Sequence, residues 1–374
     1  DMEFAVDNPN VIIASTFSHG GNAALYKSTD GGNSWNKVHD VNGASRIALT
    51  VSESDPEKVW AVAARAGYTS FHSFLVSDDL GDNWESTLHY SYSVNILGRY
   101  SGVNKDSIVG QGNYDLCLAV NPEDDKEIYV GGINIWKSTD GGYSFSRNTT
   151  WTNGNASNFV HADIHDLQFK PNTTELYSTH DGGISLSKDL GDTWQDQTDG
   201  MSITQYYRIG VSKSNQNLVI GGTQDNGTNM YKNDGFYHLR AGDGMECAIH
   251  PENDNVMFMT YYYGSLYKSV DGGEDWSKSI RADDDNVKES GAWITPFVID
   301  PSNPNVMYIG FQNIYKSTNH GNRNTWTKVT NLGGQTFRSI AISESNSNYV
   351  YAATLYDLYL TTNAGLTWSN IYNS

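Results

Sequence analysis

The sequence predicts an all-β protein, a β-propeller of four-stranded antiparallel blades, and three observations carry that prediction. One short phrase recurs along the chain: Ser/Thr, any residue, Asp/Asn, any residue, Gly, two residues, then Trp or Phe. Its copies fall at intervals on the order of 45 residues, the period of a blade or solenoid array. Between copies, short β-rich apolar runs alternate with clusters of Gly, Asn, Asp and Pro, the signature of strands joined by turns.

The phrase first reads Ser28-Thr29-Asp30-Gly31-Gly32-Asn33-Ser34-Trp35. It returns at 77–84, 138–145, 187–194 and 269–276, with looser copies at 317–326, stretched by two residues, and at 361–368. Each copy is a hairpin turn with its own lock. Asp or Asn accepts backbone N–H bonds from residues further along and holds the turn closed. Gly supplies a positive φ, the Ser or Thr hydroxyl adds a local bond, and the aromatic opens the next strand with a large area to bury. Asp30, Asp79, Asp140, Asp189 and Asp271 are therefore turn locks rather than catalytic carboxylates.

On these residues the chain resembles the Asp-box (BNR-repeat) β-propellers, a group that includes sialidases, xyloglucanase-type glycoside hydrolases, the sortilin ectodomain and a photosystem assembly factor. The resemblance covers nearly the whole chain and, within the group, leans to bacterial secreted sortilin-like and xyloglucanase-like propellers. It implies the fold; one scaffold hosts many activities, so it does not select a function.

A whole unit can be read at 245–276. The strand Glu246-Cys247-Ala248-Ile249 runs into the turn from His250 to Asn255. The strand Val256-Met257-Phe258-Met259-Thr260 follows, then a link, a third strand ending Leu266-Tyr267-Lys268-Ser269, the locked turn, and a fourth strand from Trp276. Four strands per unit make a propeller blade. The same order begins near Met2, Ser45, Tyr114, Asp166, Tyr207, Met245, Trp293 and Arg338, which gives eight blades; seven blades, or part of a larger ring, are the alternatives. In the fifth unit Tyr231-Lys232-Asn233-Asp234-Gly235-Phe236 stands in place of the locked turn. The continuous repeat argues for a single domain over 1–374.

The chain carries 24 Lys and Arg against 43 Asp and Glu, a formal charge of −19. Phosphate backbones would be repelled, which argues against nucleic acid. No apolar run approaches the roughly 20 residues of a membrane span. Few lysines, abundant Asn, Ser, Thr and Gly, and the family resemblance lean to a secreted or cell-surface protein, with further domains of a longer chain as an expected context. Cys117 and Cys247 fall in first strands of well-separated units, beyond the roughly 7 Å reach of a disulfide between Cα atoms, so two buried free thiols are expected. No cofactor and no metal is called for.

Function is expected where loops break the repeat. In a propeller the segments before the first strand and between second and third strands share one face. Here they read Gln111-Gly112-Asn113-Tyr114-Asp115, His161-Ala162-Asp163-Ile164-His165-Asp166, His180-Asp181-Gly182-Gly183, Gly221-Gly222-Thr223-Gln224-Asp225-Asn226-Gly227 and Arg240-Ala241-Gly242-Asp243-Gly244-Met245-Glu246. Convergent polar groups at one mouth are the default binding site. His161, Asp163 and His165 alternate, so on a strand they would share one side; a hydrogen-bonded network is the plain reading, and a metal with Asp225 or Asp243 the sharper one. Asp225 and Asp243, from neighbouring units, form a candidate carboxylate pair for glycoside cleavage. His161, Asp163, His165, Asp181, Gln224, Asn226, Tyr262 and Trp293 are candidate ligand-binding residues. Tyr261, Tyr263, Tyr206 and Tyr356 are further aromatics for this face. Asp283-Asp284-Asp285-Asn286 is read as a solvated acidic loop before a calcium site. The turns of the opposite face, such as Asp300-Pro301-Ser302-Asn303, are read as solvated and functionally silent.

A sialidase reading fails: that family carries Arg-Ile-Pro near its start, and here the first arginine, Arg46, is followed by Ile47-Ala48. Xyloglucanase-type enzymes hold substrate between two propellers, and this chain supplies one ring. The expectation is thus a secreted or surface propeller that binds a glycan or a peptide at the loop face. The alternatives are a glycoside hydrolase using that face's carboxylates and a structural propeller of a larger surface protein.

Overall fold

The computed structural model describes residues 1–91, 94–98, 109–233, 235–281 and 287–372. They form two compact units, 1–202 and 203–374. Each unit contains four antiparallel sheets of four strands in simple chain order. Unit 1 holds sheets at 2–42, 44–89, 117–147 and 164–196; unit 2 holds sheets at 206–240, 247–280, 297–328 and 339–370. These are the eight blades of an all-β propeller fold. Asp234 and the acidic run from Asp283 to Asn286 lie outside the described residues.

Within each unit the first strands of successive sheets pack side by side. In unit 1 these are β1 (Met2–Ala5), β5 (Ala44–Val51), β9 (Cys117–Asn121) and β13 (Ile164–Phe169). In unit 2 they are β17 (Tyr206–Val211), β21 (Cys247–His250), β25 (Phe297–Ile299) and β29 (Ser339–Ile342). Apolar clusters fill the space between successive sheets. Trp60, Val62 and Phe74 of the second sheet meet Val120, Ile128 and Trp136 of the third. Phe258 and Leu266 of the sixth meet Phe297, Met307 and Ile309 of the seventh. Both cysteines are buried free thiols in first strands, as their positions in the repeat require.

The repeated phrase folds as its chemistry dictates. Ser28 Oγ donates to Asp30 Oδ1 at 2.8 Å and accepts from Gly32 N at 2.9 Å. Asp30 Oδ1 accepts Ser34 N at 2.8 Å, and Trp35 Nε1 donates to Gly32 O at 3.1 Å. The bond from the backbone N–H four residues on to the carboxylate recurs at Asp79, Asp140, Asp189 and Asp271, and to the amide oxygen at Asn363. The Ser34 hydroxyl and the other donors hold the Asp30 carboxyl down at about 2, so the lock is ionised in neutral solution.

A second device clasps neighbouring sheets. The lysine before the serine of the phrase reaches the locked turn of the next sheet. Lys27 Nζ meets Asp82 Oδ1 at 2.8 Å. Lys137 Nζ donates to Leu190 O at 2.9 Å, and Lys316 Nζ to Ala364 O at 2.7 Å. Lys268 Nζ donates to His320 O at 2.9 Å and to Asn322 Oδ1 at 2.8 Å. Leu190, His320 and Ala364 all lie at positive φ, which turns their carbonyls outward to the incoming ammonium.

The opposite-face turns are less passive than expected. Asp300 is buried and its Oδ1 accepts from Ser302 N, Ser302 Oγ, Asn303 N and, from the next sheet, Ser347 Oγ at 2.6 Å. Asp254 likewise accepts from Ser212 and Ser214 of the preceding sheet. A turn that carries a short acid beside a neighbour's hydroxyls becomes a tie between sheets rather than a solvated loop.

Candidate functional site

The loop segments gather into two groups, one inside each unit. In unit 1 the turn at 111–115, the segment at 161–163 and the hairpin at Asp181 meet. Asp163 does not follow the strand alternation expected for His161, Asp163 and His165. It sits at φ 67, just before β13, and the left-handed residue turns the three side chains toward three different partners. His161 stacks on His180, ring centroids 5.9 Å apart; its ring fills the space beside Gly182, where a Cβ would stand 2.6 Å from it. Asp163 Oδ1 accepts from Gln111 Nε2 at 2.9 Å. His165 Nε2 contacts Asp181 Oδ1 at 2.6 Å, and Tyr114 OH donates to the same carboxylate at 3.1 Å.

The electrostatics of this group follow from burial. Asp115 is fully buried, and burial, reinforced by the Asp163 carboxylate beside it, pushes its carboxyl up to about 9. Burial raises Asp163 as well. Burial and the neighbouring His161 push His180 down to about 4. Asp115 thus holds a proton at neutral pH and bridges to Asp163, a closed network of the kind that makes a rigid scaffold. Among the described residues no group of three or more His, Cys, Asp or Glu is placed to hold a metal ion.

In unit 2 the hairpin Gln224-Asp225-Asn226 joins the strands Leu218–Thr223 and Thr228–Lys232. It meets the segment before β21. Asp225 N donates to Asp243 Oδ1 at 3.0 Å, and Gly227 pairs with Asp243 as an isolated parallel bridge. The two backbones approach so closely that a Cβ on Gly244 would stand 2.4 Å from Gly227 O, which explains the glycine. Asp243 N donates no further into the loop; it bonds Tyr262 OH at 2.8 Å. The buried Asp243 carboxylate is therefore met by the backbone amide of Asp225. Gln224 N is held by Gln205 O, and Asn226 Nδ2 donates to Gln224 O.

Beside this junction stands an aromatic group. Tyr262 and Trp293 stack with centroids 4.9 Å apart and planes at 22°. Tyr263 meets Trp293 edge-on at 5.3 Å, and Tyr261 packs on Tyr262 at 4.0 Å. Trp293 Nε1 donates to Tyr207 OH at 3.4 Å, linking the segment before β25 to β17. Trp293 is 36% and Tyr263 49% exposed, so the platform is open to solvent. Tyr206 covers Gly221 on its own sheet, and Tyr356 lines a separate hollow with Leu355 and Tyr372; neither is part of the platform.

Reading the sequence missed Tyr207, which anchors Trp293 from a strand. It also missed Arg208, whose Nε contacts Glu246 Oε2 at 3.3 Å, while burial raises the Glu246 carboxyl to about 7. Neither residue lies in a loop that breaks the repeat, so only their place beside an inner strand edge signals them.

No family model and no curated protein sequence matches the chain. Among solved structures it is similar to a GH74 enzyme of Niastella koreensis, at 16% identity over 99% of this chain and 64% of that one, with a TM-score of 0.39. It is similar to the GH74 xyloglucanase of Xanthomonas campestris at 14% identity, over 98% of this chain and 66% of that one, TM-score 0.37. It is similar to YCF48 of Cyanidioschyzon merolae at 15% identity, over 83% and 91%, TM-score 0.36. The chain spans just under two thirds of the length of the two GH74 proteins.

Proposed function

We propose that this propeller is a secreted or surface glycan-binding protein whose sugar site is the platform of Tyr262, Tyr263 and Trp293, flanked by Gln224, Asp225 and Asn226. The observation that carries this reading is the solvent-open stack of Tyr262 on Trp293 beside a loop rich in amides and carboxylates. A sugar ring presents an apolar C–H face and a polar rim. Aromatic faces take the first and short polar side chains the second. In this reading His161, Asp163, His165 and Asp181 act as the scaffold of unit 1, since each is already engaged by its neighbours.

The test is a glycan array with a polysaccharide-depolymerisation screen. Trp293→Ala should abolish array binding and leave the melting temperature within a few degrees of wild type. Array binding that survives Trp293→Ala would remove the platform from the site. Glycoside hydrolysis is the second reading, for which the specific observation is that the segments of Asp225 and Asp243 adjoin, the Asp225 amide lying 3.0 Å from the Asp243 carboxylate. It requires product release by wild type that is lost in the Asp225→Asn, Asp243→Asn double variant. Binding without turnover in both proteins leaves recognition alone.

A further inference from the structure

In the second sheet a tight hairpin joins β6 (Val59–Arg65) to β7 (Phe71–Ser77) and carries a cation on the loop face of unit 1. Thr69, at φ 54, closes the hairpin by donating its amide to Arg65 O at 3.0 Å. Two bonds fix the tip to the segment before β9: Gly110 N donates to Tyr68 O at 3.2 Å and Gly112 N to Thr69 O at 2.8 Å. The Arg65 guanidinium lies over the ring of Tyr68, 4.8 Å from its centroid, and over that of Tyr90, 4.4 Å away. Such contacts hold a guanidinium in place without using its N–H donors. Among the described residues those donors meet no hydrogen-bond acceptor and no carboxylate.

In a chain with a formal charge of −19, an arginine left without a carboxylate stands out. The charged groups that act on the nearby His72 are His89 and Arg65 itself, both basic. The overall acidity of the chain does not cancel this local balance, because charges beyond about 8 Å are largely screened at physiological salt.

A guanidinium held on aromatic rings with its donors open selects for an oxyanion, and its planar fork matches a carboxylate in bidentate geometry. Beside it Tyr68 is 49% exposed and offers an apolar face. A uronic acid presents both complements in one ring: C–H groups on its face and a carboxylate on its rim. We infer that Arg65 and Tyr68 form a binding site for uronic acid residues of a polysaccharide, with the carboxylate on the guanidinium and the pyranose on the Tyr68 ring. The site uses no residue of the Tyr262–Trp293 platform and does not depend on the reading of that platform as a sugar site.

The experiment is isothermal titration of the whole chain with tetragalacturonate, and with cellotetraose and tetraglutamate as the neutral-sugar and acidic-peptide comparisons. Tetragalacturonate should bind wild type. Its affinity should fall at least about tenfold in Arg65→Met, the order that one charge-assisted hydrogen-bonded pair contributes. Arg65→Lys should also weaken it, since lysine keeps the charge but not the fork. Tyr68→Ala, which removes an exposed ring, should weaken it as well. Trp293→Ala should leave it unchanged, and so should Arg147→Met, which removes an exposed arginine of the third sheet. Any binding of cellotetraose should be insensitive to Arg65→Met. The inference is overturned if wild type does not bind tetragalacturonate, or if binding survives Arg65→Met undiminished. Tetraglutamate binding as tightly as tetragalacturonate overturns the sugar assignment in favour of an acidic peptide. Loss of tetragalacturonate binding in Trp293→Ala overturns it by moving the uronate to the platform. Should the Arg65 variants not fold, Tyr68→Ala decides: affinity equal to wild type rejects the site.

Discussion

Replacing Asp115 with Asn should remove a large part of the alkaline sensitivity of unit 1. Asp115 is fully buried, and burial and the Asp163 carboxylate raise its carboxyl to about 9, whereas in an unfolded chain it titrates near 4. The folded state therefore holds a proton that the unfolded state has released across that whole window. Stability is highest below about pH 4 and falls as pH rises toward 9, by up to about 1.4 kcal/mol per pH unit for one proton. Between about pH 5 and pH 8 the wild type should lose up to about 4 kcal/mol from this group. Asn has the same shape, cannot ionise, and its Nδ2 can donate to Asp163 where the proton sat. Asp115→Asn should then gain up to that amount on wild type at the upper pH while staying close to it at the lower. Urea unfolding at both pH values, with hydrogen exchange of the amides at 111–121 to localise the effect, measures the difference. Wild type and variant falling in parallel, within about 1 kcal/mol, would show that Asp115 is ionised in the folded protein and refute the shared proton.

Two further perturbations test the devices that join the sheets. Lys268→Met removes a buried ammonium that donates to His320 O and Asn322 Oδ1; it should cost about 1.5–3 kcal/mol in urea unfolding, the worth of bonds to a charged group. Gly142→Ala places a Cβ 2.3 Å from the Phe74 ring at φ 93, whereas Gly141→Ala at φ 77 meets nothing within 4 Å. The first should cost about 3 kcal/mol or more and the second about 1 kcal/mol, since both strain the backbone but only one overpacks the core. Equal melting temperatures for the two would refute the contact with Phe74.

The blades were legible because their grammar is local. The Ser28-to-Trp35 turn closes through bonds spanning two to four residues, so its pattern survives in linear order and can be counted. The fifth unit, where Gly235 and Phe236 pair with Lys232 and Tyr231, could still be placed by its strands. Both buried thiols followed from their position in first strands. The convergence of loop segments was legible only as a rule of the fold. The alternation of His161, Asp163 and His165 misled because a single left-handed residue, Asp163, breaks the strand period just where it mattered.

What the sequence by itself determined is the repeating unit: turn chemistry and strand patterning act over a few residues, and each copy carries its own instructions. What only the tertiary structure decided is which distant groups share an environment. The proton on Asp115 exists because the fold buries its carboxyl and sets Asp163, from the segment before β13, beside it. The Tyr262–Trp293 platform exists because Tyr207 anchors the indole from a third sheet. Such effects depend on distance and burial in three dimensions, and residues many tens of positions apart leave no periodic trace of them in the chain.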